Sequence, residues 1–410
     1  MGKALLVSRQ ASALATGQEC NLFGFASDTA TEANTQASCT EDATFSNLRV
    51  NIISGGSGTN NFRFRDAGAD GSELASRSGA GIAEDTTNTD VLSAGDLFNI
   101  AYTDTGSNST IAWIVANIVL SSGHGNLHGA AGFGGLVFDT ASSTNFIPLS
   151  GSLTADGSTN EVLTTLKVRA YDSFEALQVR VTANARLNTS SFRNRINNGN
   201  GTALIEFATL VTGLISDTVL GDAIADGQTV NASVTLGTGV EDLTVVFVVG
   251  TFKSTSNKSE TFSGAGLART ASTTAHYQTI GGSYATLTAL TEAQARLKPG
   301  FAAVVSNLRC YLSDNTYTGN GTLKLYQNGV AVITTTITAS GGAAWYENTS
   351  DTITIDADDE LSFEFDEGTS GSITIRLAGI TFAPVAGPSA EGVLYGPRNY
   401  TDGLTSFWSR

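Results

Sequence analysis

Two histidines four residues apart are the first place to look for chemistry in this chain. His124 and His128 stand in SSGHGNLHGAAGFGG. On a helix that spacing puts both imidazoles on one face, where they can share a metal ion. The glycines around them argue against a helix, so the residues read as an exposed, flexible seam with no metal. The one other histidine is His276, which leaves a histidine-based triad few candidates. No GxSxG elbow occurs.

Carboxylates are the next possibility. Asp356, Asp358, Asp359 and Glu360 form the densest acidic run. A calcium loop needs oxygen ligands at alternating positions and a glycine at its bend, and this run has no glycine. Asp66-Ala67-Gly68-Ala69-Asp70-Gly71 comes closer but lacks the later bidentate Glu. Both fall at turns that recur along the chain, so solvated turns are expected, with no metal, no cofactor and no catalytic residue. Paired carboxylates for glycoside hydrolysis would need aromatic residues for sugar stacking. Trp113 lies in an apolar run and reads as core. Trp345 and Tyr346, in GGAAWY, read as an exposed loop and are the candidate glycan-binding pair.

These residues must be positioned by elements that repeat. Residues 31–50 read TEANTQASCTEDATFSNLRV and residues 291–310 read TEAQARLKPGFAAVVSNLRC, aligned without a gap at an offset of 260. TTLKV at 164–168 reads as a weaker third copy. Restatement at a fixed distance is the mark of tandem modules. Each copy supplies a strand ending in a Leu-basic pair: Leu48-Arg49, Leu166-Lys167 and Leu308-Arg309. The basic side chains are expected to point outward, their stems covering apolar surface; an ion pair between modules or subunits is the alternative. An alternating strand follows and runs into a turn: Asp66-Ala67-Gly68, Asn197-Asn198-Gly199 and Gln327-Asn328-Gly329. Period-two alternation into Asn/Asp/Gly predicts hairpins. A second turn (Ala94-Gly95-Asp96, Ala225-Asp226-Gly227, Asp356–Asp359) and a closing apolar strand (Ile111–Val119, Leu243–Phe252, Ile373–Phe382) complete each block.

The pattern predicts an all-β chain of three tandem β-sandwich, jelly-roll-like domains with a short C-terminal extension. The boundaries fall at 1–122, 123–255, 256–383 and a docking tail, 384–410. The Gly/Ser-rich stretches Ser121–Gly135 and Ser254–Gly266 are the expected seams. One helix is expected at Thr291–Leu297, opened by Thr-Glu and stopped by Pro299-Gly300.

Composition agrees. The chain is 41% hydrophobic and 15% charged, rich in Gly, Ser, Thr and Val as turn-rich β proteins are. The net charge of −16, without a Lys/Arg cluster, argues against a nucleic-acid surface, and no nucleic-acid partner is expected. No apolar stretch is long enough to span a bilayer, and the opening MGKALLVSRQASALATGQ lacks a signal-peptide core, so no membrane partner and no Sec export are expected. Three cysteines make no disulfide framework. Cys310 reads as a small buried residue; a Cys20–Cys39 bridge stays open. The tail carries Tyr395, Tyr400, Phe407 and Trp408, aromatics that need a surface to pack on and are the candidate partner-binding residues. The apolar leader Ala4–Val7 is a candidate strand for a neighbour's sheet.

The Ser-Asn-Leu-Arg strand, the Asn-Gly or Ala-Gly hairpin and the Ala-Gly-Asp turn, on an acidic Gly/Ser/Thr-rich chain of tandem sandwiches, resemble the virion structural proteins of tailed bacteriophages. The resemblance implies a non-enzymatic protein of the virion that decorates or stabilises a capsid or builds a tail or fibre. Its implied partners are itself, as a homotrimer, and the major capsid or tail proteins of the same particle. A glycan- or receptor-binding adhesin of a phage tail or cell surface is the alternative.

Overall fold

The structure, a computed structural model, describes residues 3–8, 13–20, 32–55, 57–106, 108–121, 125–138, 143–150, 158–218, 221–239, 242–270, 275–284, 291–366, 368–385 and 394–395. Antiparallel strands dominate it, and they fall into three sets with one topology.

In the first set, one sheet runs Lys3–Ser8, Ser109–Leu120, Ala43–Ser54, Gly81–Leu92. The facing sheet runs Gln18–Cys20, Leu97–Asp104, Thr59–Asp66, Ala69–Ser78. In chain order these are strands 1-8-3-6 over 2-7-4-5, a jelly roll. The second set repeats it: Gly125–Phe138, Leu243–Lys253, Ser173–Asn184, Gly213–Asp217 over Thr144–Ile147, Thr229–Thr235, Ser190–Ile196, Gly199–Phe207. The third is Ser259–Thr270, Ser372–Pro384, Ala303–Asn315, Ala344–Ile355 over His276–Thr279, Leu361–Asp366, Gly321–Gln327, Val330–Ile337. The chain is all-β, three jelly-roll sandwiches in tandem.

The hairpins form where the turn residues demand them. Ala67 and Gly68 (φ 47 and 87), Asn197 and Asn198 (φ 49 and 63) and Asn328 and Gly329 (φ 51 and 84) are left-handed pairs, as a two-residue type I′ turn requires. The short helix is Glu292–Ala295, opened by a Thr291/Gln294 capping box. It is shorter than expected because Arg296 is already extended (ψ 131) and Leu297 bridges to Leu361. The first two sandwiches have 3-10 turns in its place, Glu32–Asn34 and Glu161–Thr164. Glu32 pairs with Arg65 at 3.0 Å, and Glu161 pairs with Arg195. In the third, Tyr326 stands where those arginines stand, and Arg296 bonds Glu292 and Glu360 instead.

Several expectations need correction. The Ser-Asn-Leu-Arg phrase does not end a strand. Asn47 and Asn307 are left-handed (φ 56 and 55) at register shifts inside Ala43–Ser54 and Ala303–Asn315; they form a bulge, after which Leu and Arg continue the strand. Asn tolerates that conformation better than other non-glycine residues. The middle counterpart of Leu48-Arg49-Val50 is Leu177-Gln178-Val179, 129 residues on, in Ser173–Asn184. TTLKV at 164–168 corresponds instead to Thr35–Cys39. The Gly-rich stretches at 121–135 and 254–266 are more than linkers: Gly125–Phe138 and Ser259–Thr270 begin within them and are the first strands of their sandwiches. Lys3–Ser8 is likewise used at home, paired with Ser109–Leu120. Cys20 and Cys39 are free and buried; each fills core space, and burial pushes the Cys20 thiol up to about 12.

Candidate functional site: the seams between the sandwiches

The three cores are not closed by their own strands alone. The core built on Phe45, Leu48 and Phe62 also takes Leu127, Val246, Phe247 and Val249 from the second sandwich. The core around Phe174, Leu177 and Phe192 takes Phe262, Tyr311 and Leu377 from the third. The core around Leu308, Leu325 and Phe363 takes Ala112, Trp113 and Val115 from the first. Trp113, Phe247 and Leu377 occupy matching positions on the eighth strand. Burying one face inward and the other against a neighbour makes these strands apolar over most of their length: all but two residues of Ser109–Leu120 are buried.

Polar links follow the same circuit. Arg49 Nη1 donates to the Lys298 carbonyl at 3.2 Å. Gln178 Nε2 donates to the Ser38 carbonyl at 2.9 Å and its Oε1 accepts from the Ser38 N–H at 3.3 Å. Arg309 Nε donates to the Lys167 carbonyl at 3.0 Å. Donors 49, 178 and 309 are counterparts, and so are acceptors 38, 167 and 298. One contact is made three times, from the first sandwich to the third, from the second to the first, and from the third to the second. The recurrent basic position therefore faces a neighbouring sandwich and not solvent. Arg309 is 0% and Arg49 8% exposed, which reverses the outward expectation.

The seam between the second and third sandwiches carries charge. Arg309 Nη2 bonds Glu260 Oε1 at 2.5 Å, both side chains wholly buried. The same oxygen accepts from the Arg169 N–H at 2.8 Å and from the Thr381 hydroxyl at 3.2 Å. The guanidinium stacks over the Phe262 ring, 4.9 Å from its centroid. At the rim, Glu347 Oε2 takes Lys167 at 2.9 Å and Arg169 at 2.7 Å, and the two cations hold its carboxyl below the usual range against its own burial. Tyr171 Oη accepts from the Glu260 N–H at 3.0 Å and meets His128 Nε2 on its other side. His128 lies edge-on to Tyr171, Phe252 and Phe262. Burial first, and the Arg309 charge second, push its pKa down to about 3, so it is neutral, and its Nε2 shares a hydrogen bond with the Tyr171 hydroxyl.

The residues singled out from sequence are thus dispersed. His128 is 0% exposed and sits in a strand, which corrects the exposed-seam reading; His124 lies outside the described residues. Among the described residues no group of His, Cys, Asp and Glu is arranged to hold a metal, and no helix is long and apolar enough to cross a membrane. The acidic run caps a turn: Asp359 accepts from the Asp356 N–H at 2.7 Å and from Gln327 and Asn328 at 2.6 Å each. Asp96 and Gln228 cap the matching turns. In the Asp66–Gly71 segment, Asp70 pairs with Arg65 and Arg63. Trp345 and Tyr346 are not an exposed loop. They begin the strand Ala344–Ile355, where neighbours point to opposite faces. Trp345 packs on Tyr311 with ring centroids 5.4 Å apart. Tyr346 is 8% exposed and its hydroxyl accepts from Asn315 Nδ2 at 2.9 Å. Leu394–Tyr395 forms a short strand parallel to both Lys3–Ser8 and Gly125–Phe138. Tyr400, Phe407 and Trp408 lie outside the described residues.

Sequence reasoning missed Glu260, Tyr171, Arg169 and Glu347. One signal was available: Glu260 interrupts the apolar face of its strand, at the place where the second sandwich has Leu127.

No protein-family model matches the chain, and no curated protein matches it. Solved structures with some likeness include one described as the triple jelly-roll fold and turret assembly in an archaeal virus (13% identity, 96% of this chain and 92% of that chain, TM-score 0.22). Another is from Sulfolobus turreted icosahedral virus (14%, 85% and 82%, TM-score 0.22). A third is the major capsid protein P2 of bacteriophage PM2 (8%, 65% and 99%, TM-score 0.17). At such scores the likeness carries no functional argument; the jelly-roll assignment rests on this chain's own strand order.

Proposed function

We propose that this chain is a non-enzymatic structural protein of a virion, one that decorates or stabilises a capsid or forms part of a tail or fibre. The observation that carries the reading is the threefold contact circuit. The seam polar groups described above are spent on holding sandwiches side by side, and the acidic turns cap backbone. Jelly rolls are a recurrent fold of viral capsid domains, and a rigid lobed body suits a packing role better than a catalytic one. We take the units as 1–122, 123–255 and 256–383 with a docking tail at 384–410. The threefold unit implied by the resemblance is, in this reading, supplied within one chain.

The tail residues Tyr395, Tyr400, Phe407 and Trp408 are our assigned partner contacts, with the particle's major capsid or tail proteins as the partner. Deleting 397–410 is expected to leave the sandwiches folded and to reduce incorporation into particles; undiminished incorporation removes the tail from the proposal. The role as a whole is tested by imaging native particles. Density fitting this chain on the head or tail supports it, and particles that lack the chain refute it.

A further inference from the structure

We infer that one chain is a complete threefold unit, a covalent trimer that enters assembly as a single copy and fits a partner offering three equivalent contacts around an axis. Closure of the unit stands on contacts within the chain; only the partner's symmetry rests on the virion reading.

Three sandwiches strung in a line make two junctions and leave one pair of matching surfaces free at the ends. Here the third junction is made, between the first and last sandwiches, and with the same parts as the others. Arg49 reaches the Lys298 carbonyl as Gln178 reaches Ser38 and Arg309 reaches Lys167. Trp113 enters the third core as Phe247 enters the first and Leu377 the second. All three links run in one rotational sense. A head-to-tail interface either closes into a ring or propagates without end. This one closes after three steps, so no unpaired copy of that interface is left to recruit a second chain.

The closing junction is also shaped for its donor. Gly300 has φ +80, and a Cβ there would stand 2.5 Å from Arg49 Nη1. The backbone of the third sandwich is bare where the first sandwich's guanidinium lies against it.

The first strands meet inside the circuit. The parallel strand Leu394–Tyr395 pairs with the first strands of the first and second sandwiches, and Gly282–Tyr284 runs parallel to that of the third. Besides the tail, the surfaces left for partners are the outer faces of three similar lobes, which is what three identical neighbours around an axis would meet.

Two measurements on the full chain test this. Light scattering at micromolar concentration is expected to give 42.3 kDa as the folded species; a smallest folded species of three chains overturns the inference. Hydrogen exchange on Trp113→Leu, which installs the residue type of Leu377, is expected to speed exchange roughly tenfold or more in residues 297–312 of the third sandwich. It should spare residues 174–181 of the second. A response confined to the first sandwich means the circuit is open, and the inference fails. Gly300→Ala probes the same junction from the other side and should deprotect residues 43–54. In particles, one chain per threefold position supports the partner assignment and three chains around the axis overturn it. If particles lack the chain, the virion role fails while the mass and exchange results still decide closure.

Discussion

The seam between the second and first sandwiches and the seam between the third and second use the same two backbone positions and solve them differently. At the former, Gln178 meets both the carbonyl and the N–H of Ser38, so a neutral amide satisfies a peptide on both sides. At the latter, Arg309 reaches the matching carbonyl but brings a charge into a site with no solvent access. A buried guanidinium is tolerated only with a partner, and Glu260 supplies it where the second sandwich has Leu127. The neutral seam needs no desolvated charge. The charged seam ties that pair to the second sandwich: Arg309 donates to the Lys167 carbonyl and Glu260 accepts from the Arg169 N–H, two bonds to buried charges that a wrong pairing of sandwiches would break.

Substitution can break that contrast. Glu260→Leu strands Arg309 and is expected to cost about 3–5 kcal/mol, read as a lower urea midpoint. Glu260→Leu with Arg309→Gln rebuilds the neutral seam and should recover most of the loss. A double variant as weak as the single would show that the two seams are not interchangeable designs.

Acid is expected to weaken the charged seam at His128 and Glu347, against an opposing contribution from Glu260, whose carboxyl burial pushes up. His128 has its folded pKa lowered to about 3 from 6.5. The unfolded chain therefore binds the proton more readily, and stability present above pH 6.5 is lost as pH falls toward 3. Glu347, also held low, acts in the same direction below its ordinary value of 4.5. Denaturation midpoints across this range, repeated on His128→Gln, should show a flatter slope in the variant; an unchanged slope would remove His128 from the account.

Gln178→Ala should cost less, about 1–2 kcal/mol, because it unpairs one neutral peptide and no charge. A loss as large as that of Glu260→Leu would erase the distinction between the seams. Ala67→Asn touches no seam. It gives the first hairpin the residue type that the other two use, and should stabilise by about 0.5–1 kcal/mol without changing hydrogen exchange at either seam.

What was legible in the sequence was what local chemistry dictates. The hairpin turns were readable because left-handed backbone selects Asn, Gly and, less happily, Ala. The closing strands were readable because a strand buried on both faces is apolar over most of its length. The middle repeat is hard to place from sequence because its strand spells Glu-Ala-Leu-Gln and has no left-handed Asn, whereas TTLKV keeps a Leu-basic pair. The seam residues were hidden for a different reason. Arg and Glu in an alternating strand read as solvent-facing, and only the position of another sandwich 142 residues away in sequence, as between Arg309 and Lys167, turns that face into an interior. Trp345 and Tyr346 were misread because two aromatics after Gly-Gly-Ala-Ala look like a loop, whereas the strand begins at Ala344.

The contact circuit has a consequence for how such a molecule can change. In a ring of three identical chains every substitution appears at all three junctions at once, so a glutamate helpful at one is imposed on the other two. Joined in one polypeptide, the junctions mutate one at a time. Glu260, present at a single seam with Leu127 at its counterpart, is a change that a symmetric ring would have had to accept three times over.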